Sequence, residues 1–305
     1  VDAIERHAER VRRVDPLVAG HDSLPQAGEG ESVIEVPGAV GLAGVTRNDP
    51  DSLNAPWSPP VVYTLRPRVG DPEAFGPLLE RWQEIVDADP GSRGPGRAMA
   101  VTWPSRDTVP VGALPRHGFA PTTAVAARPG GSAVPAGDLE ARRAPGQARV
   151  RRAGPEDLDA MHPLYEELHA FDAQFGWLWA GPSTSMRLRE HLAELLGLEE
   201  GWCWVAEEDG RLVGMLTVEP PSHSGWIASA VTADPVAYLG LCYIHPRARG
   251  RGIGAALAAR AHATVDAAGV RVTLLHHAIA NPLSAPFWAR RGYRSLLTVW
   301  GKHLS

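Results

Sequence analysis

The sequence is short of cysteine, of unbalanced charge and of long apolar runs, and each shortage removes a class of function. Only Cys203 and Cys242 occur in 305 residues. Two thiols without metal-type spacing make neither a disulfide framework nor a zinc site; they read as buried or incidental thiols of a protein kept in a reducing compartment. Thirty basic residues stand against 35 acidic ones, a formal net charge of -5. No chain-wide positive field draws in nucleic acid, although a local basic cluster can still hold a small anion. No stretch approaches the ~18 apolar residues of a membrane span, and the charged N-terminus has no apolar core of signal-peptide length. The expectations are no nucleic acid, no membrane and a cytoplasmic location.

What is present is the composition of a folded globular protein, 44% hydrophobic and 21% charged, in a chain long enough for two domains that each bury a core. Residues 128–147 are small and turn-forming, with almost nothing to bury. They place an N-terminal domain at 1–130, a linker at 131–147 and a C-terminal domain at 148–305. In the latter, a short strand at 148–152 precedes Gly154-Pro155-Glu156-Asp157, a helix start with proline and acids in the first turn. That helix should reach Phe171, with a second at 186–196. Strands follow at 203–207 and 211–218, joined by the hairpin signal Asp209-Gly210.

A strand at 237–244, a helix at 253–268, a strand at 271–277, a helix at 284–291 and a last strand at 295–302 complete the half. Ile253, Leu257, Ala261 and Val265 recur every four residues as one buried stripe. This order predicts a mixed α/β fold, a central sheet flanked by helices. The N-terminal half echoes its distal part, with strands at 98–102 and 122–127 around Leu114-Pro115-Arg116-His117-Gly118-Phe119, so an internal duplication is expected.

The strongest chemical signal is His245-Pro246-Arg247-Ala248-Arg249-Gly250-Arg251-Gly252-Ile253-Gly254, lying between a strand and a long helix. Glycines let successive backbone N–H groups turn inward, and the helix start adds the positive end of its dipole, which together make a nest for a pyrophosphate. Arg247, Arg249 and Arg251 add charged donors. Two rival phosphate motifs fail. A dinucleotide fold wants an acid at the end of the next strand, where Leu274 and His276 stand, and a triphosphate loop wants Lys-Ser or Lys-Thr where Ala255-Ala256 follow.

The spacing Arg249-x-x-Gly252-x-Gly254 after a strand resembles the pyrophosphate loop of the GCN5-related N-acetyltransferase (GNAT) superfamily. Asn281-Pro282-Leu283-Ser284-Ala285-Pro286-Phe287-Trp288, with Gly292-Tyr293 beyond, resembles its second signature. The resemblance covers about 148–305, and the N-terminal half looks like a degenerate copy that lacks paired glycines around Leu65-Arg66-Pro67-Arg68-Val69-Gly70-Asp71. It implies the splayed sheet of the acyl-CoA N-acyltransferase fold and acetyl-CoA as cofactor. Cys242, Tyr243, Ile244, Arg249, Gly250, Arg251, Gly252, Ile253, Gly254, Asn281, Ser284, Phe287 and Trp288 would hold it, and a backbone N–H near Cys242 or Tyr243 would polarise the thioester carbonyl.

In that family a tyrosine commonly protonates the leaving thiolate, but here its place is taken by Trp288, whose indole donates a hydrogen bond without being a useful acid. Ser284 or Tyr243 are the candidate substitutes. Glu219, at a strand end, is the candidate base, unless it is a solvated carboxylate beside Pro220-Pro221. His169, Asp172, Phe175 and Trp177 fall where the resemblance places the acceptor wall, and their acids and rings suit a cationic amine with an apolar body; packing roles compete for all four. His276 joins them, or is a core histidine, and Trp226 and Trp300 are candidates for the same pocket, with packing as the competing role. The expected function is acetyl transfer to a small-molecule amine by direct attack in a ternary complex, by a monomer or a homodimer. The alternative is an acyl-CoA binding or regulatory module without turnover. A covalent route through Cys242 is the least favoured path.

Overall fold

The computed structural model describes residues 3–131, 148–175 and 177–304; the expected linker, Gly131 apart, lies outside them. The chain runs through α1 (Ala3–Val14), β1 (Ser32–Val36), β2 (Ala39–Arg47), β3 (Val61–Val69), α2 (Phe75–Ala88), β4 (Arg97–Pro104), α3 (Ala113–Arg116) and β5 (Ala120–Pro129). After the linker come β6 (Arg149–Arg152), α4 (Leu158–Ala173), α5 (Thr184–Leu196), β7 (Cys203–Glu208), β8 (Arg211–Glu219), α6 (Gly225–Ala228) and β9 (Val236–Ile244). The chain ends with α7 (Ile253–Ala267), β10 (Val272–Ala278), α8 (Ser284–Ala289) and β11 (Arg294–Leu304). The hairpin at Asp209-Gly210 forms as expected, with φ of 50° and 74°, the left-handed pair a two-residue turn requires.

All eleven strands join one sheet in the order β1-β2-β3-β4-β11-β5-β10-β9-β8-β7-β6. Two adjacent pairs are parallel, β3 with β4 and β9 with β10; the rest are antiparallel. The order has a two-fold character about the β5–β11 contact, and around it each half reaches across. β5 lies between β10 and β11, and β11 lies between β4 and β5. Ion pairs fasten the exchange: Arg128 of β5, fully buried, pairs with Asp266 of α7, and Arg294 of β11 pairs with the buried Asp15 after α1.

Helices cover both faces because their apolar stripes have no other partner. Phe75, Leu78, Leu79, Trp82 and Val86 of α2 are buried at helical spacing over the N-terminal half. The stripe of α7 predicted from the sequence is buried as well, joined by Ala258 and His262, while α4 and α5 close the opposite face of the C-terminal half.

One expectation fails in detail. Arg66, Pro67 and Arg68 do not form the turn where the N-terminal half would carry its loop; they continue β3. Pairing of β3 with β4 stops at Leu65, so Pro67 falls where that neighbour has already diverged and its missing N–H breaks no ladder there. The true strand-to-helix turn is Gly70–Ala74.

Candidate active site

Parallel pairing of β9 with β10 ends at Tyr238 and Leu274, while β9 stays paired with β8 up to Ile244. The two parallel strands therefore part and open a gap in the sheet. The register of β9 against β8 slips between Thr217 and Val218, leaving Gly240 as an extra residue, a bulge at the point where the gap begins.

Beyond β9 a 3-10 turn at Pro246–Ala248, capped by the His245 ring on the Arg247 N–H, delivers the chain to Gly250 and Gly252. Their φ values are +75° and +81°, and a Cβ on either would meet nothing within 4 Å. Gly252 caps α7 with its carbonyl accepting from Ala256 N. The N–H groups of Ile253, Gly254 and Ala255 have no acceptor within the helix, so they are left to an outside anion. At Gly254 a Cβ would come within 3.2 Å of Phe287; this glycine lets α7 approach α8 closely.

The nest opens into a cleft of about 420 Å³. Cys242, Tyr243, Ile244, Arg249, Gly250, Gly252, Ile253, Gly254, Asn281, Ser284, Phe287 and Trp288 all line it. Arg251 does not: it turns outward to pair with Glu208 on β7. Leu168, Phe171, Arg290 and Arg291 line the cleft unforeseen. The Arg291 guanidinium lies 3.5 Å above the Phe287 ring, a contact fixed only when α8 ends and the chain turns back.

Asn281 organises one wall. Its Oδ1 accepts from the N–H groups of Leu283 and Ser284, and its Nδ2 donates to Asp172 at the end of α4 at 2.9 Å. Burial raises the Asp172 carboxyl to about 6, against the lowering effect of Asn281. Asp172 thus braces the Asn281 wall of the cleft. The Ser284 hydroxyl has no hydrogen-bond partner among the described residues and faces the cleft. Tyr243 donates to Glu167 at 2.8 Å, and burial followed by that bond pushes its hydroxyl up to about 12. Arg249 donates to the Ile244 carbonyl and lies over Phe171 and Tyr243. Trp288 is buried edge-on between Phe287 and Tyr293. Burial lifts the Cys242 thiol to about 12, which leaves it protonated and a poor nucleophile.

The other predicted acceptor residues separate. His169 is buried and bonds the Pro56 carbonyl of the N-terminal half; it is a satisfied packing histidine. Phe175 packs edge-on to Phe171. Trp177 lies on β11, where a Cβ at Gly301 would come within 2.5 Å of its ring. Glu219 and His276 do share a place, on β8 and β10 flanking Tyr238 of β9. Burial raises the Glu219 carboxyl and the Trp226 indole, donating to Oε2 at 2.9 Å, partly offsets it. His276 is held neutral, at about 4, mainly by desolvation. Trp300 contacts the N-terminal core instead.

The equivalent turn in the N-terminal half has no free nest. The N–H groups of Gly70 and Asp71 both donate to the Gly38 carbonyl, Glu73 N donates to the Asp71 carboxylate, and Pro72 has no N–H. The start of α1 lies against Gly70, whose Cβ would meet Ala3 Cα at 2.6 Å.

With this geometry in hand, comparison with known proteins is specific. Residues 159–293 match the sequence profile of the Acetyltransferase (GNAT) family. Residues 159–293 make up that GNAT domain. The whole chain is similar in fold to a GCN5-related N-acetyltransferase from Sphaerobacter thermophilus, with a TM-score of 0.57, 17% identity and coverage of 98% of this chain and 91% of that one. It also resembles a fungal multi-domain GH3 β-N-acetylglucosaminidase described as holding a GCN5-related glucosamine N-acetyltransferase region, with a TM-score of 0.52 and 15% identity. There 86% of this chain is covered but only 31% of the other. No curated protein matches the chain. The GNAT profile begins inside α4 and ends at Tyr293, so both glycine loop and Asn281 segment fall within it. No helix among the described residues is long and apolar enough to cross a membrane, and no cluster there has the makings of a metal site.

Proposed function

We propose that the protein is an acetyl-CoA-dependent N-acetyltransferase that acetylates a small-molecule amine by direct attack in a ternary complex. The observation that carries the reading is the nest at Gly250–Ala255, open to a cleft that leads to the gap between β9 and β10. The residues fit the cofactor. Positive-φ glycines with open space at Cβ and unclaimed N–H groups at a helix start suit a pyrophosphate, and the unpaired edges of β9 and β10 suit the amides of a pantetheine arm. Acetyl-CoA supplies an activated acyl group on a thioester.

The chain's own residues supply the rest. Glu219, its carboxyl raised by burial, takes the proton of the incoming ammonium, so that a neutral amine nitrogen forms the new C–N bond. Backbone N–H groups following the Gly240 bulge donate to the carbonyl oxygen as it gains charge. As the C–S bond breaks, the second proton lost by the nitrogen on becoming an amide is relayed through the Ser284 hydroxyl to the departing sulfur, so the thiol leaves neutral and Ser284 ends protonated as it began. Tyr243, tied to Glu167, shapes the wall and serves as a weaker donor. The protonated Cys242 favours direct attack over an acyl-cysteine. One chain suffices, because its halves pair as two subunits would.

A binding module without turnover is the second reading, favoured by Trp288 at the position of the family's acid. Thiol release from acetyl-CoA over a panel of amines separates the two. Turnover is expected, with the acid limb of kcat/KM lying above the ordinary carboxylate range because the Glu219 carboxyl is raised. Glu219→Gln should lower kcat/KM by about a hundredfold and abolish that limb. Tight acetyl-CoA binding with no thiol release from any amine would promote the binding module.

A further inference from the structure

Among the described residues, a partly exposed cluster of polar and aromatic groups lies outside the cofactor cleft, at the bottom of the β9–β10 gap. Trp226 of α6 is 59% exposed. It stacks on His276 at 12° between ring planes and meets Tyr238 edge-on at 4.8 Å. The Tyr238 hydroxyl and His276 Nδ1 are hydrogen-bonded at 3.0 Å. Three rings are thus fixed around a carboxylate, Glu219, which the Trp226 indole holds by one oxygen.

A separate observation points to a ligand there. The Thr217 hydroxyl is buried, its residue only 1% exposed, and has no hydrogen-bond partner. It lies 3.5 Å from where a Cβ on Gly240 would sit, with Tyr238 Cε1 at 3.6 Å and Glu219 Oε1 at 3.9 Å from the same point. An orphaned buried hydroxyl is costly unless something completes it. The bulge glycine leaves one small space where that hydroxyl, the free oxygen of Glu219 and the rings converge. The surroundings are one-sided: the groups that reach Glu219, Tyr238 and His276 are the Trp226 indole and each other, and no arginine or lysine forms an ion pair with Glu219 among the described residues. A cation is welcome against the carboxylate and the ring faces, and a second carboxylate would meet Glu219 with nothing to neutralise it.

We infer that this cluster is the acceptor subsite, and that it takes a primary amine with a flat aromatic body and no carboxylate, an aralkylamine in preference to an amino acid. The ammonium sits between Glu219 and Thr217, and the ring of the acceptor lies against Trp226. The inference rests on the acetyltransferase reading above and narrows it.

The test compares phenethylamine, phenylalanine and butylamine as acceptors for the full chain at fixed saturating acetyl-CoA. Phenethylamine should be the best, with kcat/KM for phenylalanine lower by about a hundredfold from carboxylate repulsion. Trp226→Ala should raise KM for phenethylamine about tenfold more than KM for butylamine, whereas loss of the indole hydrogen bond to Glu219 should lower kcat for both amines alike; Trp226→Phe should restore most of the KM difference. Acetyl-CoA affinity, read by calorimetry, should not move in Trp226→Ala, which shows that the variant is folded. Phenylalanine used as well as phenethylamine, or an unchanged KM in Trp226→Ala, overturns the acceptor assignment while leaving acetyl transfer intact. Acetyl-CoA binding with no turnover of any of the three amines, nor of a wider panel, overturns both.

Discussion

Gly252 shows how one residue carries two demands. Its left-handed φ turns the chain into α7, and its missing side chain leaves the space in front of the helix start empty. In Gly252→Val the branched side chain opposes the backbone, at a local cost of about 1–2 kcal/mol, and its methyls project where the pyrophosphate binds. Calorimetry should show acetyl-CoA affinity lowered on the order of a hundredfold in a folded protein; unchanged affinity would remove the cofactor assignment. Ser284 and Trp288 make a second pair of residue-scale expectations. Trp288 is buried against Phe287 and Tyr293, whereas the Ser284 hydroxyl faces the cleft without a partner. Ser284→Ala should therefore lower kcat by about a hundredfold, while Trp288→Phe keeps most of it and Trp288→Tyr, which adds a phenol, raises it. Stopped-time thiol assays read all three, and full activity in both Ser284→Ala and Glu219→Gln would show that the proton transfers are placed wrongly.

At the scale of elements, the same strand–turn–helix unit occurs twice with opposite outcomes. After β9 the turn keeps its N–H groups open; after β3 the Gly38 carbonyl and the Asp71 carboxylate have claimed them, and the carboxylate itself stands where an anion would be needed. Titration should give one coenzyme A per chain, and a stoichiometry of two would overturn this account. The contrast also shows what a sequence discloses. The open nest was legible, because glycine spacing, the preceding apolar strand and the stripe of α7 are all local patterns. The closed one was read about four residues too early, because Pro67 suggests a turn and only the divergence of β4 makes it tolerable within β3. The acceptor cluster was half legible. Glu219, His276 and Trp226 stood out singly, but Tyr238, which joins them, becomes their partner only through pairing across the sheet. His169 and Trp177 looked like acceptor residues for the converse reason. Their true partners, Pro56 and Gly301, are more than a hundred positions away and no local pattern reveals them.

Taken whole, the molecule is one sheet to which each half lends its last strand. The sequence suggested two domains side by side, and its periodicities gave every strand of the exchange except the neighbours. A fragment of residues 148–305 would retain the nest, the cleft lining and Glu219, yet it would lack β5. The facing edges of β10 and β11 would then be unpaired and Asp266 would lose Arg128. That fragment should be aggregated or poorly folded by circular dichroism and should bind acetyl-CoA far more weakly than the full chain; a soluble, cooperatively folding fragment with full affinity would show that the exchange is dispensable.

The exchanged strands also bear on inheritance. The N-terminal half, whose turn offers no open nest, is expected to answer to no cofactor of its own, but β5 completes the sheet next to the active cleft and β11 completes its own. Removing either half would strip a paired strand from the other, so the quieter half is expected to persist with its working twin. Its loop at Gly70–Ala74 is relieved of a ligand but still held by α1, which lies against Gly70; its last strand is held by the whole sheet.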